Sequence, residues 1–385
     1  MKAIYPPAHA RKAKIAKYLS HLLVTLALLV LLSAVMFLHF GSLGIAMDDS
    51  ILRTFLSFQP RSAPPRSVVI VRFADSSPGK TPLVDFPSPY ALTEFYKVAV
   101  GANPKAIVTD FSLGTGLLSE KALAEITNTL SLVKSAVATE LERGIEGKSK
   151  EVRFNSPPTI ERVAAAYDIV QGYTPVRLLN FSSEDWSDAP FVNALAKITE
   201  AKIPEHLERK MINFYGPPGT IEHLVVTDLR AENAEALAFK LRDRIVFFGY
   251  QTIPAHSGPL MGDREIYSSD LKMSDTEIRA TIAANILDDS FIRFPSDRVQ
   301  QLLIGGLTLI IFLIGIVSGR ANAALPLAGI LLAFACGEHL MLERMHTWIP
   351  GLGVLMIASC LVLVINALKE DTDPNAPLNF GKCRF

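Results

Sequence analysis

The chain has 385 residues, room for two or three domains, and its 38 Lys and Arg are balanced by 38 Asp and Glu. That zero formal charge argues against a nucleic-acid binder, which draws on a basic excess. Hydrophobic residues at 49%, charged residues at 20% and a mean hydropathy of +0.29 exclude a disordered chain, a disulfide scaffold and an ordinary cytosolic enzyme, and they turn the search toward membrane spans.

Residues 1–18 form a basic tail, with Lys2, Arg11, Lys12, Lys14 and Lys17 and no acid. By the positive-inside rule this tail stays in the cytoplasm. Residues 19–39 read as a first transmembrane helix. From Leu22 to Leu38 they are broken only by Thr25 and Ser33, nearly long enough to cross a hydrocarbon core of about 30 Å. A cleavable signal sequence is the competing reading; the long basic stretch and the lack of a small-x-small site weigh against it.

Residues 40–298 then form a large extracytoplasmic domain, and it contains no cysteine. Cys336 and Cys360 fall in apolar spans and Cys383 in the C-terminal tail, so neither a disulfide framework nor a Cys-based metal site is expected. Residues 48–58 read as a short amphipathic helix. Ser67–Phe73 is a β-branched strand, residues 89–101 a helix with Pro near its start and Gly at its end, and Ala106–Phe111 a second strand. Residues 119–143 read as one long helix capped by Ser119 and closed by Gly144. Beyond it, Arg177–Phe181 reads as a strand, Ala189–Glu200 as a helix and Met211–Tyr215 as a strand ended by Gly216-Pro217-Pro218-Gly219. Ala234–Leu241 is helical, Arg244–Tyr250 a strongly apolar strand and Thr276–Leu287 a helix. Short apolar strands alternating with helices predict an α/β fold, a mostly parallel sheet with helices on both faces.

Three apolar stretches follow at residues 299–318, 323–342 and 348–368, giving four transmembrane α-helices in all. Their connectors are short enough for helical hairpins only. Residues 369–385 then return to the cytoplasm as a short polar tail.

Several patterns recur in order along the outer domain. A first strand runs into Asp75, Phe86-Pro87 and Pro89 precede a helix, and a second strand ends Thr109-Asp110-Phe111. Ile212-Asn213-Phe214-Tyr215-Gly216-Pro217 comes next, then Asp243-Arg244-Ile245-Val246-Phe247-Phe248-Gly249, then Ala284-Asn285-Ile286-Leu287-Asp288. With one span before and three after, this arrangement resembles the CHASE2 family of bacterial sensors. It departs from the family at Ala283, where a His is usual, and at Phe86, where tryptophan is often found. The resemblance implies a multi-pass inner-membrane protein with a periplasmic domain that binds a ligand or protein and relays through its helices. Family members commonly continue into a cytoplasmic cyclase, kinase or phosphatase, whereas only residues 369–385 follow the last span here, so a separate effector is the expected partner. The alternative is a structural or accessory subunit of an envelope complex that uses the domain as a scaffold.

Asp75 and Asp110 end consecutive strands, at the carboxyl edge where open α/β sheets take ligands. They stand as candidate ligand-binding residues with His256, which follows the apolar strand. His206 and His223 read as solvent or turn positions. No nucleophile–base pair, Gly-x-Ser-x-Gly elbow or zinc-protease motif is present, so the domain reads as a binder rather than an enzyme, with no cofactor and no metal. Gly216-Pro217-Pro218-Gly219 lacks the residues of a phosphate loop and reads as a rigid turn. Arg293, Pro295, Asp297 and Arg298 join domain to span and are the expected signal-coupling residues. Gly305, Gly306, Gly315 and Gly319 form a candidate helix-packing face, since glycines four apart let helix backbones approach. Glu338 and His339, near the end of their span, are expected to snorkel to water.

Overall fold

A computed structural model of the chain describes residues 34–35, 47–48, 50–52, 54–55, 65–73, 88–111, 113, 118–143, 149–152, 157, 159–164, 189–202, 210–216, 219–226, 229, 231–249, 264–268, 271–317 and 320–371. The predicted strand Arg177–Phe181 and most of the first predicted span lie outside them. The chain divides into two compact units, Leu56–Arg293 and Met1–Phe55 with Phe294–Phe385.

In Leu56–Arg293 the helices are α1 (Pro89–Gly101), α2 (Glu120–Leu130), α3 (Phe191–Thr199), α4 (Ala231–Leu241) and α5 (Asp275–Asp288). The strands are β1 (Val68–Phe73), β2 (Ala106–Thr109), β3 (Ser135–Arg143), β4 (Ser149–Val152), β5 (Ile160–Ala164), β6 (Ala189–Pro190), β7 (Lys210–Met211), β8 (His223–Val226), β9 (Ile245–Phe248), β10 (Arg264–Ser268), β11 (Leu271–Met273) and β12 (Ile292–Arg293). Eight strands make the main sheet in the order β6-β5-β3-β2-β9-β1-β8, with β4 attached to β3. Every neighbouring pair along that path is parallel, and only β4 runs antiparallel.

The central strands are apolar on both sides because both faces are covered. Val68, Ile70, Ala106, Val108, Ile245 and Phe247 pack beneath α3 and α5, while Val69, Val71, Ile107, Val246 and Phe248 pack beneath α1, α2 and α4. The period of two in each strand therefore feeds two separate cores. Local chemistry sets the helix starts. Ser88 and Ser119 each accept an N–H three residues on, at 3.2 and 3.3 Å, and Pro89 occupies the first helical position, where no amide partner is needed.

Two expectations are corrected. Residues 119–143 are not one helix: α2 ends at Leu130, and Ser135–Arg143 is a strand lying between β2 and β5. Ala136, Val137 and Ala138 are small enough to suit either structure, and burial between two strands decides the outcome over helical propensity. Met211–Tyr215 is likewise not a strand of the main sheet. Only Lys210–Met211 is extended, in a two-stranded antiparallel ribbon with Ile292–Arg293.

The other unit holds α6 (Asp297–Val317), α7 (Arg320–Met345) and α8 (Leu352–Asp371). Among the described residues, Asp297–Val317 and Ala323–Met345 are long and apolar enough to cross a membrane. The apolar part of α8, Leu352–Ala367, is shorter than the predicted span 348–368. At 1.5 Å per residue it covers about 24 Å. Gly351 sits at φ +151°, outside the helical region, so the helix begins only at Leu352. Of the four predicted spans, length and composition thus support two in the structure.

Exposure in this unit is inverted relative to a water-soluble domain. Leu302, Val317 and Leu325 are more than three-quarters exposed, while Thr308, Glu338, Ser359 and Asn366 are buried. Ile304, Ile311, Leu327, Leu355, Ala358 and Val362 pack between the helices.

Candidate functional site

The carboxyl ends of β2 and β9 form the switch point of the sheet. α2, the helix after β2, packs on one face, and α5, the next helix after β9 and the β10–β11 ribbon, packs on the other; such an edge is where open α/β sheets take ligands. Asp110 and Gly249 are the first residues beyond these strands. The Asp110 N–H donates to the Phe248 carbonyl at 2.8 Å, and the Gly249 N–H to that of Val71 at 3.3 Å.

The first turns of α5 cover this edge. Ser274 caps the helix, its hydroxyl accepting the Glu277 N–H at 3.2 Å. Thr276 Oγ1 donates to Asp110 Oδ2 at 2.5 Å, and Arg279 Nη1 forms a buried ion pair with Asp110 Oδ1. A Cβ at Gly249 would stand 3.1 Å from Asp110 Cβ and 2.8 Å from Thr276 Cγ2, so the close approach of α5 requires glycine there. On the opposite face the Tyr96 hydroxyl and Thr109 Oγ1 share a hydrogen bond of 2.7 Å, and burial holds the Tyr96 phenol well above its ordinary pKa.

One turn of α5 also holds the Gly216–Gly219 segment. Glu277, itself buried, accepts the Gly219 N–H at 2.7 Å, and His223 Nε2 lies 3.6 Å from its other oxygen. Gly219 takes φ +86°, the conformation a turn asks of glycine, and its amide is committed to this carboxylate. His223 is therefore not a solvent or turn residue but a partly buried member of β8 facing Glu277.

The far end of α5 meets the ribbon through which the chain leaves the domain. Asn285 Oδ1 accepts the Asn213 N–H at 2.8 Å, and Asn285 Nδ2 donates to the Asn213 carbonyl at 3.0 Å and to Ser290 Oγ at 3.1 Å. The Tyr215 hydroxyl donates to Asp288 Oδ2 at 2.9 Å and shares a hydrogen bond with Ser290 Oγ at 3.0 Å; burial pushes its pKa up to about 12. Asp289, at φ +45°, ends the helix and pairs with Arg293 at 2.7 Å and Lys210 at 3.7 Å. The side chain of Asn285 thus substitutes for the β-strand partner that Asn213 lacks. That substitution is why the predicted strand stops at Met211.

The predicted site residues are distributed as follows. Asp110 sits at the sheet edge, but its oxygens face α5 of the same domain. Asp75 and His256 lie outside the described residues. Arg293 ends β12 at the last residue of the outer unit. In the other unit the Pro295 carbonyl accepts Gln300 Nε2 at 2.9 Å, and Asp297 and Arg298 open α6. Gly315 packs on Val362 of α8, with an added Cβ 3.2 Å from Val362 Cγ2; the Cβ direction of Gly306 is open, Gly305 is half-buried, and Gly319 lies outside the described residues. Among the described residues no cluster of three His, Cys, Asp or Glu gathers to hold a metal ion.

Sequence reading assigned no role to Thr276, Glu277, Arg279 or Asn285, because burial is what singles them out and burial is not written in consecutive residues. Residues 276–286 are buried on all sides, and a helix this polar with no exposed face must find internal partners for each polar group.

No curated protein and no solved structure matches the chain. A family model described as the CHASE2 domain matches residues 24–319, which take in the whole outer unit from β1 to β12 and continue through α6. With the ordered motifs, the α/β sheet and the span that follows it, this places the chain in the CHASE2 domain family, an extracytoplasmic sensor domain family.

Proposed function

We propose that the chain is a membrane-anchored sensor whose outer domain, on the periplasmic side of a bacterial inner membrane, binds a small molecule or protein at the carboxyl edge of its sheet. It relays that event through α6 to a separate effector, with both termini in the cytoplasm. The observation that carries this reading is the path of α5. Its first turns cover the sheet edge at Asp110 through Thr276 and Arg279, and its last turn holds Asn213 and Tyr215, just beyond the strand β7 that pairs with β12. Only residues 294–296 separate β12 from α6. A ligand that displaces Arg279 from Asp110 would move a rigid rod whose other end holds the strand leading to the membrane. Such a ligand shifts the equilibrium only by its differential affinity for the two positions of α5.

The test uses the full-length protein in lipid nanodiscs. Thermal-shift screening of small metabolites and peptides identifies what stabilises the outer domain, and affinity capture with and without that compound identifies the responding partner. A flexible Gly/Ser insertion after Pro295 should leave the stabilisation intact and abolish the change in partner recovery. An unchanged response in the insertion variant overturns the relay. Stoichiometric recovery of a large assembly, indifferent to any compound, would instead assign the chain as an accessory subunit.

A further inference from the structure

Glu338 lies in the apolar stretch of α7, seven residues before its last residue, Met345. That is about 10 Å along the helix axis. Instead of snorkelling to water, the residue is 2% exposed, and neither carboxylate oxygen has a hydrogen-bond partner among the described residues. An ionised carboxylate in this position has no compensation among the described residues, and an uncompensated buried charge costs several kcal/mol or more.

Among the described residues, the charge that acts on it is a second acid. Asp48, among the helical residues 47–48, 50–52 and 54–55, is also buried and accepts the Gly351 N–H at 3.0 Å. Of the other titratable groups on the packed elements, His339 stands edge-on to Phe55 with ring centroids 5.7 Å apart, and Glu343 and Arg344 are exposed. α6 beyond Arg298 holds no titratable side chain, and α8 before Lys369 holds only Cys360, which is exposed. The interior polar groups of those two helices include the hydroxyls of Thr308 and Ser359, which have no hydrogen-bond partner among the described residues. Asp49 and Arg53 lie outside the described residues.

We propose that Glu338 is a proton-binding site inside the membrane bundle, with Asp48 as its second carboxylate, so that the pair holds one proton. A metal ion in place of the proton would ask for about six oxygen ligands. The described residues gather no group of three acidic, His or Cys side chains. Neutral Glu338 suits the dry packing around it; loss of the proton obliges water to enter or the helices to move apart. The site belongs to the membrane unit, so it stands or falls independently of ligand binding outside.

Dicyclohexylcarbodiimide adds to protonated carboxyl groups in apolar surroundings and leaves a stable N-acylurea. The full chain in lipid vesicles is treated across a pH series and the adduct mapped by mass spectrometry. The expected result is labelling on Glu338 that falls about tenfold for each pH unit above its midpoint and is unaffected by Na⁺ or Ca²⁺. Glu338→Gln abolishes it, Glu338→Asp retains part of it, and Asp48→Asn displaces the midpoint. Absence of an adduct on the wild-type residue at every pH overturns the proposal, as does protection by Na⁺ or Ca²⁺, which would assign a metal ion. If Glu338→Gln fails to fold, the wild-type pH profile and its salt response decide the matter.

Discussion

Asp110 and Arg279 have almost no contact with solvent, so their ion pair carries a heavy desolvation cost on both sides. Its value lies in what happens when one member is removed. Asp110→Ala leaves a guanidinium buried without its carboxylate, at a cost of about 3–5 kcal/mol. For a unit of this size that lowers the unfolding midpoint of the outer domain by on the order of 10 °C. The double variant Asp110→Leu, Arg279→Met removes both charges and should recover at least half of the loss. Circular dichroism melts of the detergent-solubilised full chain check this; equal melting of the single and double variants would show that the pair is not energetically coupled. Asp110 was visible in the sequence because it follows a strand. Arg279 was not, because nothing in a linear reading distinguishes a buried arginine from one on a solvated helix face.

Among elements, α5 is unusual in having no solvated stripe, and its polar side chains are shared between two distant segments, the β2 edge and the exit ribbon. Its extent was legible as Thr276–Leu287, within a residue at each end. Its partners were not, since Asn213 and Asn285 stand 72 positions apart. The strand at Ser135–Arg143 escaped recognition for a related reason: a run of Ala, Val and Thr has no strong preference, and pairing on both sides overrides what preference it has. Within the membrane unit, Gly315 and Gly306 differ in a way that spacing alone does not reveal. Gly315→Leu should force α6 from α8 and lower the melting temperature in detergent by several degrees, whereas Gly306→Leu, pointing into open space, should be nearly silent. Equal effects would mean that the α6–α8 contact is not what Gly315 serves.

At the scale of the whole molecule, the two units use opposite rules for exposure. The sheet domain hides its aliphatic strands under helices, while α6, α7 and α8 present leucine and isoleucine outward and keep a carboxylate within. The second pattern suits an apolar surrounding medium, such as the bilayer of the proposed function. On the orientation proposed above, protease added to intact spheroplasts should digest the unit Leu56–Arg293 and spare both termini. Protection of that unit with clipping of the termini would reverse the proposed orientation.

Hydrophobic patterning by itself determined the α/β class, the apolar stretches at 299–318 and 323–342 and the order of the motifs, because local periodicity and composition are written in consecutive residues. The tertiary structure alone decided that Asp110 is sealed by α5, that the Asn213 and Asn285 motifs are one another's partners and that Glu338 faces the bundle interior. Each of these depends on which distant segments meet. A polar group has the same chemistry at any position, and only folding settles whether its partner is water, another side chain or nothing at all.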